Sequence, residues 1–253
     1  MLCGSTDEPT REHIIPQTLW KRFGIDPNRD DLAHFWTTLC KPHNEATSAL
    51  HTRTEMLTLI ETGEPVTSKT LAHLGDWAIW TTLLLGLERG SGVLGADVSR
   101  RLLLRRFDEG KGSKGIRVYA ARIGQLVEEA APAVIPYALA LQGDSRVSLD
   151  HNHEPNGFSI LAGPMNASES IAVGKLALLV VGRTYPSGAD HNERLDRAAA
   201  RVGLERIHPL DAAAPALVPG PINMTDVSRL FTVVPLGVDM SLMPISIQST
   251  MGT

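Results

Sequence analysis

At 253 residues, with 43% hydrophobic and 21% charged side chains, the chain can bury a substantial core. Its composition is that of an ordinary soluble globular protein, which excludes large-scale disorder. A formal net charge of −4 excludes nucleic-acid binding through the whole surface, so any such contact has to come from a local basic patch. The N-terminus runs directly into the polar stretch 5–12 without a basic start and an apolar core. That is no signal peptide, and a cytoplasmic setting is expected.

Glu12-His13-Ile14-Ile15-Pro16 is a short apolar run closed by a proline. Proline cannot donate to a ladder, so a strand is expected to stop there, leaving the His13 imidazole at its end where a groove can reach it. Cys40-Lys41-Pro42-His43-Asn44 opens a predicted helix, whose apolar positions Ala46, Ala49, Leu50, Met56, Leu57 and Ile60 keep helical spacing except at Thr52 and Thr54. Gly63-Glu64-Pro65 breaks it, and Leu71, Leu74, Ala78 and Leu85 mark a second helix with nearly merged apolar faces. Residues 77–87 are densely apolar. The run falls short of the roughly 20 residues a membrane span needs and is bracketed by Asp76 and Glu88, so a buried core helix and no membrane are expected. Val98, Leu102 and Leu103 mark a third helix, made basic by Arg100, Arg101, Arg105 and Arg106. Such a run is first a solvated helix face and second a phosphate-holding surface.

The Gly/Lys-rich break 110–115 is the candidate boundary. Beyond it, 116–121, 133–141, 157–162 and 171–181 are short β-leaning runs separated by Gly, Pro, Asn and Asp, as in an antiparallel sheet. A helix over 193–202 and a strand over 204–207 follow. Residues 211–221 read as a connector, and the stretch around Met240 and Met243 is weakly patterned. His151-Asn152-His153 lies in a polar, Pro-ended stretch and reads as a turn, and Asp190-His191-Asn192 carries no stronger signal. No phosphate loop or nucleophile elbow is present in the second half. The expected fold class is α+β: an N-terminal unit over 1–62, a helical segment over 63–110 packed on it, and a mainly antiparallel α+β domain over 111–253, read as a core-forming sheet or a recognition domain.

The chemistry concentrates near the N-terminus. An imidazole titrating near pH 6.5 suits a base at neutral pH. Carboxylate and carboxamide oxygens suit a hard divalent ion such as magnesium, and cysteine and histidine suit zinc. Asn44 at a helix start also suits capping. Cys3 and Cys40, the chain's two cysteines, read as buried thiols, as a disulfide, or as metal ligands, with metal favoured because each lies beside motif residues.

The series Met1-Leu2-Cys3-Gly4, Glu12-His13 and Cys40-x-x-His43-Asn44 resembles the HNH endonucleases, in particular their zinc-stapled members. The likeness continues more weakly through Glu61, the Gly63-Glu64-Pro65 turn, Leu71-Ala72 and Trp77-Ala78, as in some bacterial HNH-like proteins. The resemblance implies a ββα-metal unit in the first 62 residues and hydrolysis of DNA phosphodiester bonds. It implies His13 as general base, and Glu12 and Asn44 as catalytic residues holding Mg2+ or another divalent ion. It also implies a structural zinc on Cys3, Cys40 and His43, and DNA as partner. Three departures stand beside it. His43 replaces the second cysteine of the family's second pair. The family's first cysteine would fall three positions before Cys3, so an N-terminally incomplete form is expected. The middle asparagine is expected a few residues before Cys40, where the chain has Ala33-His34-Phe35-Trp36; Asn28 is too early and His34 is a candidate substitute. The alternatives are a non-catalytic zinc-stapled nucleic-acid-binding module, and a structural protein whose thiols do nothing.

Overall fold

The computed structural model describes residues 8–22, 36–64, 67–89, 95–109, 115–123, 137–139, 166–173, 175–183, 189–201, 203–210 and 221–222. Strand β1 (Pro9–His13) pairs antiparallel with β2 (Trp36–Cys40), with Pro9 opposite Cys40 and His13 opposite Trp36. The expected strand end at Pro16 moves back three residues. Ile14 and Ile15 leave the ladder and sink into the core, and Pro16 instead starts the short helix α1 (Gln17–Arg22), accepting the Leu19 N–H at 2.9 Å. This helix was not expected, because six residues are too few to show a periodic signal.

Helix α2 (Lys41–His51) follows β2 with no loop between them. Cys40 is extended at φ −74°, ψ 154° and serves as the residue preceding the first turn, where Pro42 needs no donor. The expected interruption becomes a full break. Arg53 is extended, and α3 (Thr54–Thr62) starts anew. It ends at Gly63, whose φ of +68° is left-handed and whose N–H returns to Leu59 O at 2.7 Å. A side chain there would also meet Lys175 Cβ at 3.0 Å.

Helix α4 (Ser68–Arg89) is apolar around its whole circumference and is buried accordingly; Leu71, Leu74, Trp77, Ile79, Trp80 and Leu83 are all nearly inaccessible. Helix α5 (Gly95–Glu109) packs along it. Among the described residues no helix is long and apolar enough to cross a membrane.

The second half forms a sheet of β3 (Ile116–Ile123), β4 (Tyr137–Leu139), β5 (Asn166–Val173), β6 (Leu176–Arg183), β7 (Glu205–His208) and β8 (Pro221–Ile222). Its order is β4-β5-β6-β3-β7 with antiparallel neighbours, and β8 runs parallel to β3. The run expected as one strand over 171–181 is two, turning so that Val173 faces Leu176. Gly174 and Lys175, the two residues between them, interrupt the apolar run and are the sequence signal for that turn. Helix α6 (Ala189–Arg201) begins four residues earlier than expected. Residues 157–162, 211–220, His151 to His153, Met240 and Met243 lie outside the described residues.

These helices and antiparallel strands make an α+β fold. One continuous apolar cluster runs from Ile14 and Leu39 through α3, α4 and Leu103 to Val118, Leu178 and Ile207. Helix α4 touches α2, α3, α5 and β2 as well as β3, β6 and β7. It lies so close to β7 that a Cβ on Gly75 would stand 2.9 Å from His208 Cβ.

Candidate functional site

The β1–β2 ribbon alternates as a strand must, and its neighbours fix which face each side chain takes. Thr10 and Glu12 look toward α2, while Arg11 and His13 look the other way, with Trp36. Glu12 is 6% exposed. Its Oε1 lies 2.7 Å from His51 Nε2, in the last turn of α2, and accepts from Thr47 Oγ1 at 3.4 Å. The His51 ring is turned off that line: although the atoms are at ion-pair distance, neither ring nitrogen makes a hydrogen bond among the described residues. His51 is itself 6% exposed. The Nδ1 atom, on the far side of the ring, is buried without a partner among the described residues.

Asn44 fastens the helix to the strand. Its Nδ2 donates to Thr10 Oγ1 at 2.9 Å and to Arg11 O at 3.2 Å, so the carboxamide oxygen is the half left to accept a cation or donor. Asn44, Thr47 and His51 stand at spacings of three and four, which puts them on one face of α2. The capping role open to Asn44 is not the one it fills, since Cys40 precedes the helix and makes no side-chain cap.

His13 is half-buried at the end of β1. Its Nε2 lies 3.1 Å from Gln17 Nε2 on α1, which corresponds to an amide donating to an unprotonated ring nitrogen. Burial pushes the His13 pKa below its ordinary 6.5, Glu12 partly opposes this, and the Arg11 cation adds to it. The imidazole is therefore neutral, and able to accept a proton, at neutral pH.

At the opposite end of β2, the Cys40 side chain is buried. Its Sγ lies 2.9 Å from His43 Nδ1, and the His43 ring leans on Phe107 of α5 at 4.0 Å between centroids. Thus Glu12, His13, Asn44, Cys40 and His43 all lie in one ribbon and helix, but in separate settings: Glu12 and Asn44 on the α2 side, His13 across the ribbon, and Cys40 with His43 in the first turn. Cys3, Asn28 and His34 lie outside the described residues. Among the described residues no three His, Cys, Asp or Glu side chains gather as a metal cluster; the nearest to it is the pair Glu12 and His51, with Asn44 beside it as a neutral oxygen donor.

Two groups were missed from the sequence. His51 lies seven residues beyond Asn44, two helical turns along the same face, a spacing that would have found it. The other is Arg117, Tyr119, Asp196 and Arg206 on β3, α6 and β7. There Asp196 accepts from Arg117 at 2.8 and 3.1 Å, from the Tyr119 hydroxyl at 2.9 Å and from Arg206 at 2.6 Å. Two arginines of the basic helix α5 are paired, Arg105 with Glu109 of the same helix and Arg106 with Asp76 of α4. Comparison with known proteins gives no matching family model, curated protein or solved structure.

Proposed function

We propose that the chain is a metal-dependent endonuclease of the HNH type, hydrolysing DNA phosphodiester bonds with His13 as general base and acting in the cytoplasm. The observation that supports this reading best is the buried His51 at 2.7 Å from Glu12 and on the Asn44 face of α2, across the ribbon from His13. A carboxylate oxygen, a carboxamide oxygen and an imidazole nitrogen are a donor set that fits a divalent ion, so Glu12 and Asn44, joined by His51, would hold it. Bound there, Mg2+ or a similar ion would stabilise charge on the phosphate and on the departing oxygen.

The chain's own part is proton transfer and positioning. Water attacks the phosphorus, its proton passes to the neutral His13 ring, and the bond from phosphorus to the leaving oxygen breaks, with solvent protonating that oxygen. Gln17 orients the imidazole until the substrate takes its place at Nε2. Cys3, Cys40 and His43 form the proposed structural zinc site, for which the facing Sγ and Nδ1 atoms supply two donors.

Purified protein is expected to nick supercoiled plasmid in Mg2+ or Mn2+, with His13→Ala slower by roughly 10²- to 10⁴-fold. Identical rates for the two proteins would end this reading. A second reading, a non-catalytic zinc-stapled nucleic-acid-binding module, draws on one observation: Glu12 turns toward α2, away from His13. Stoichiometric zinc and DNA binding without any nicking would select it.

A further inference from the structure

The face of the ribbon that α2 leaves uncovered has a charge with no evident structural task. Arg11 is exposed, and its guanidinium carbon sits 4.6 Å from the centroid of the Trp36 ring. Trp36 is the direct cross-strand partner of His13, and Arg11 is two residues before His13 on the same side. The contact with the ring is a cation–π one and uses no N–H donor in a hydrogen bond, so the five N–H donors of the guanidinium are not consumed by it. Among the described residues Arg11 forms no ion pair. The other well-placed arginines differ: Arg117 and Arg206 are spent on Asp196, Arg106 on Asp76 and Arg22 on Glu61.

We infer that Arg11, shelved on Trp36, is a positioning residue that grips a phosphate of the DNA backbone on the ribbon face that carries His13. A planar fork accepts two oxygens of one phosphate at once, and a preoriented fork loses less freedom on doing so than a free side chain. The inference rests on the nuclease reading above and adds to it the face from which substrate approaches.

The test measures binding of a fluorescein-labelled duplex oligonucleotide by anisotropy without added Mg2+ or Mn2+ and without chelator, gel electrophoresis checking that the duplex stays intact, across a salt series. Arg11→Ala is expected to weaken binding on the order of tenfold and to reduce the slope of log K against log salt by about one. Arg11→Lys, which keeps the charge but not the fork, should fall between, and Trp36→Ala should weaken binding less than Arg11→Ala. Arg22→Ala, paired with Glu61, should bind as the wild type does. Far-ultraviolet circular dichroism checks that each variant is folded. Wild-type affinity and slope in Arg11→Ala would overturn the inference while leaving nicking by the wild type, and its loss in His13→Ala, to uphold the nuclease. Equal competition by polyglutamate would also overturn it, by making the site one for carboxylates. No binding and no nicking by the wild type would overturn both.

Discussion

The ribbon end of the molecule and its C-terminal sheet treat buried polar groups in opposite ways. On the sheet, Asp196 is surrounded by donors from Arg117, Arg206 and Tyr119, and the two guanidinium side chains are only 11% and 17% exposed. Each charge of this cluster is answered by another, which is how a fold makes ionic groups tolerable inside. At the ribbon end, His51 stands buried with neither nitrogen bonded, and Glu12 has only an off-line imidazole and a long hydroxyl contact. The other buried side-chain atoms lacking partners among the described residues belong to Arg53 and to Trp77, Trp80, Thr81, Thr82 and Ser99 of the helices between the two regions. The difference teaches where to look for chemistry: a satisfied network explains itself by stability, whereas an unsatisfied one asks for a ligand.

The harshest way to break the comparison is to remove what the two regions share. Trp77→Ala in the middle of α4 should cost about 3–5 kcal/mol, and urea denaturation followed by circular dichroism should show a single transition. Two separate transitions would mean that ribbon and sheet are independent, and that their contrast is between two proteins in one chain. A sharper test sets Asp196→Ala against Glu12→Gln. The first strands two guanidinium groups and a phenol and should cost about 2–3 kcal/mol, reduced somewhat by partial exposure. The second keeps the shape of its site and should cost less than about 1 kcal/mol while abolishing plasmid nicking. Equal losses of stability would erase the distinction drawn here.

The smallest effect is acid sensitivity. Burial lowers the pKa of His13 and of His208 below 6.5; at His208, Asp76 opposes and Arg106 reinforces that shift. A lowered folded pKa means that the unfolded chain binds the proton more readily. The associated stability is therefore complete above pH 6.5 and declines as pH falls through the folded values. His208→Gln and His13→Gln should each flatten the fall in melting temperature between pH 7.5 and 5. The sheet variant should do so more strongly, because His208 also packs against Gly75. An unchanged profile in both would place the acid response elsewhere.

Much of this architecture was legible in the sequence because it depends on local rules. The interruption near Thr52, the helix break at Gly63, the densely apolar helix over 77–87 and the strand at 116 follow from periodicity and backbone chemistry alone. What escaped depends on distance along the chain. Asp196 meets Arg117 across 79 positions, and Arg11 finds Trp36 only once β1 and β2 pair. The candidate site divides the same way. Glu12, His13 and Asn44 stand out as motif letters, but the opposite facing of Glu12 and His13 is set by the strand's alternation, and His51 by two turns of a helix.

The junction at Cys40 has a consequence of its own. Because the last strand residue is also the residue before α2, the ribbon is geared directly to the helix with no slack in between. Each amino acid inserted there would rotate α2 by about 100°, carrying Asn44, Thr47 and His51 together past Glu12. At that joint the chain can tolerate a change of side chain far better than a change of length.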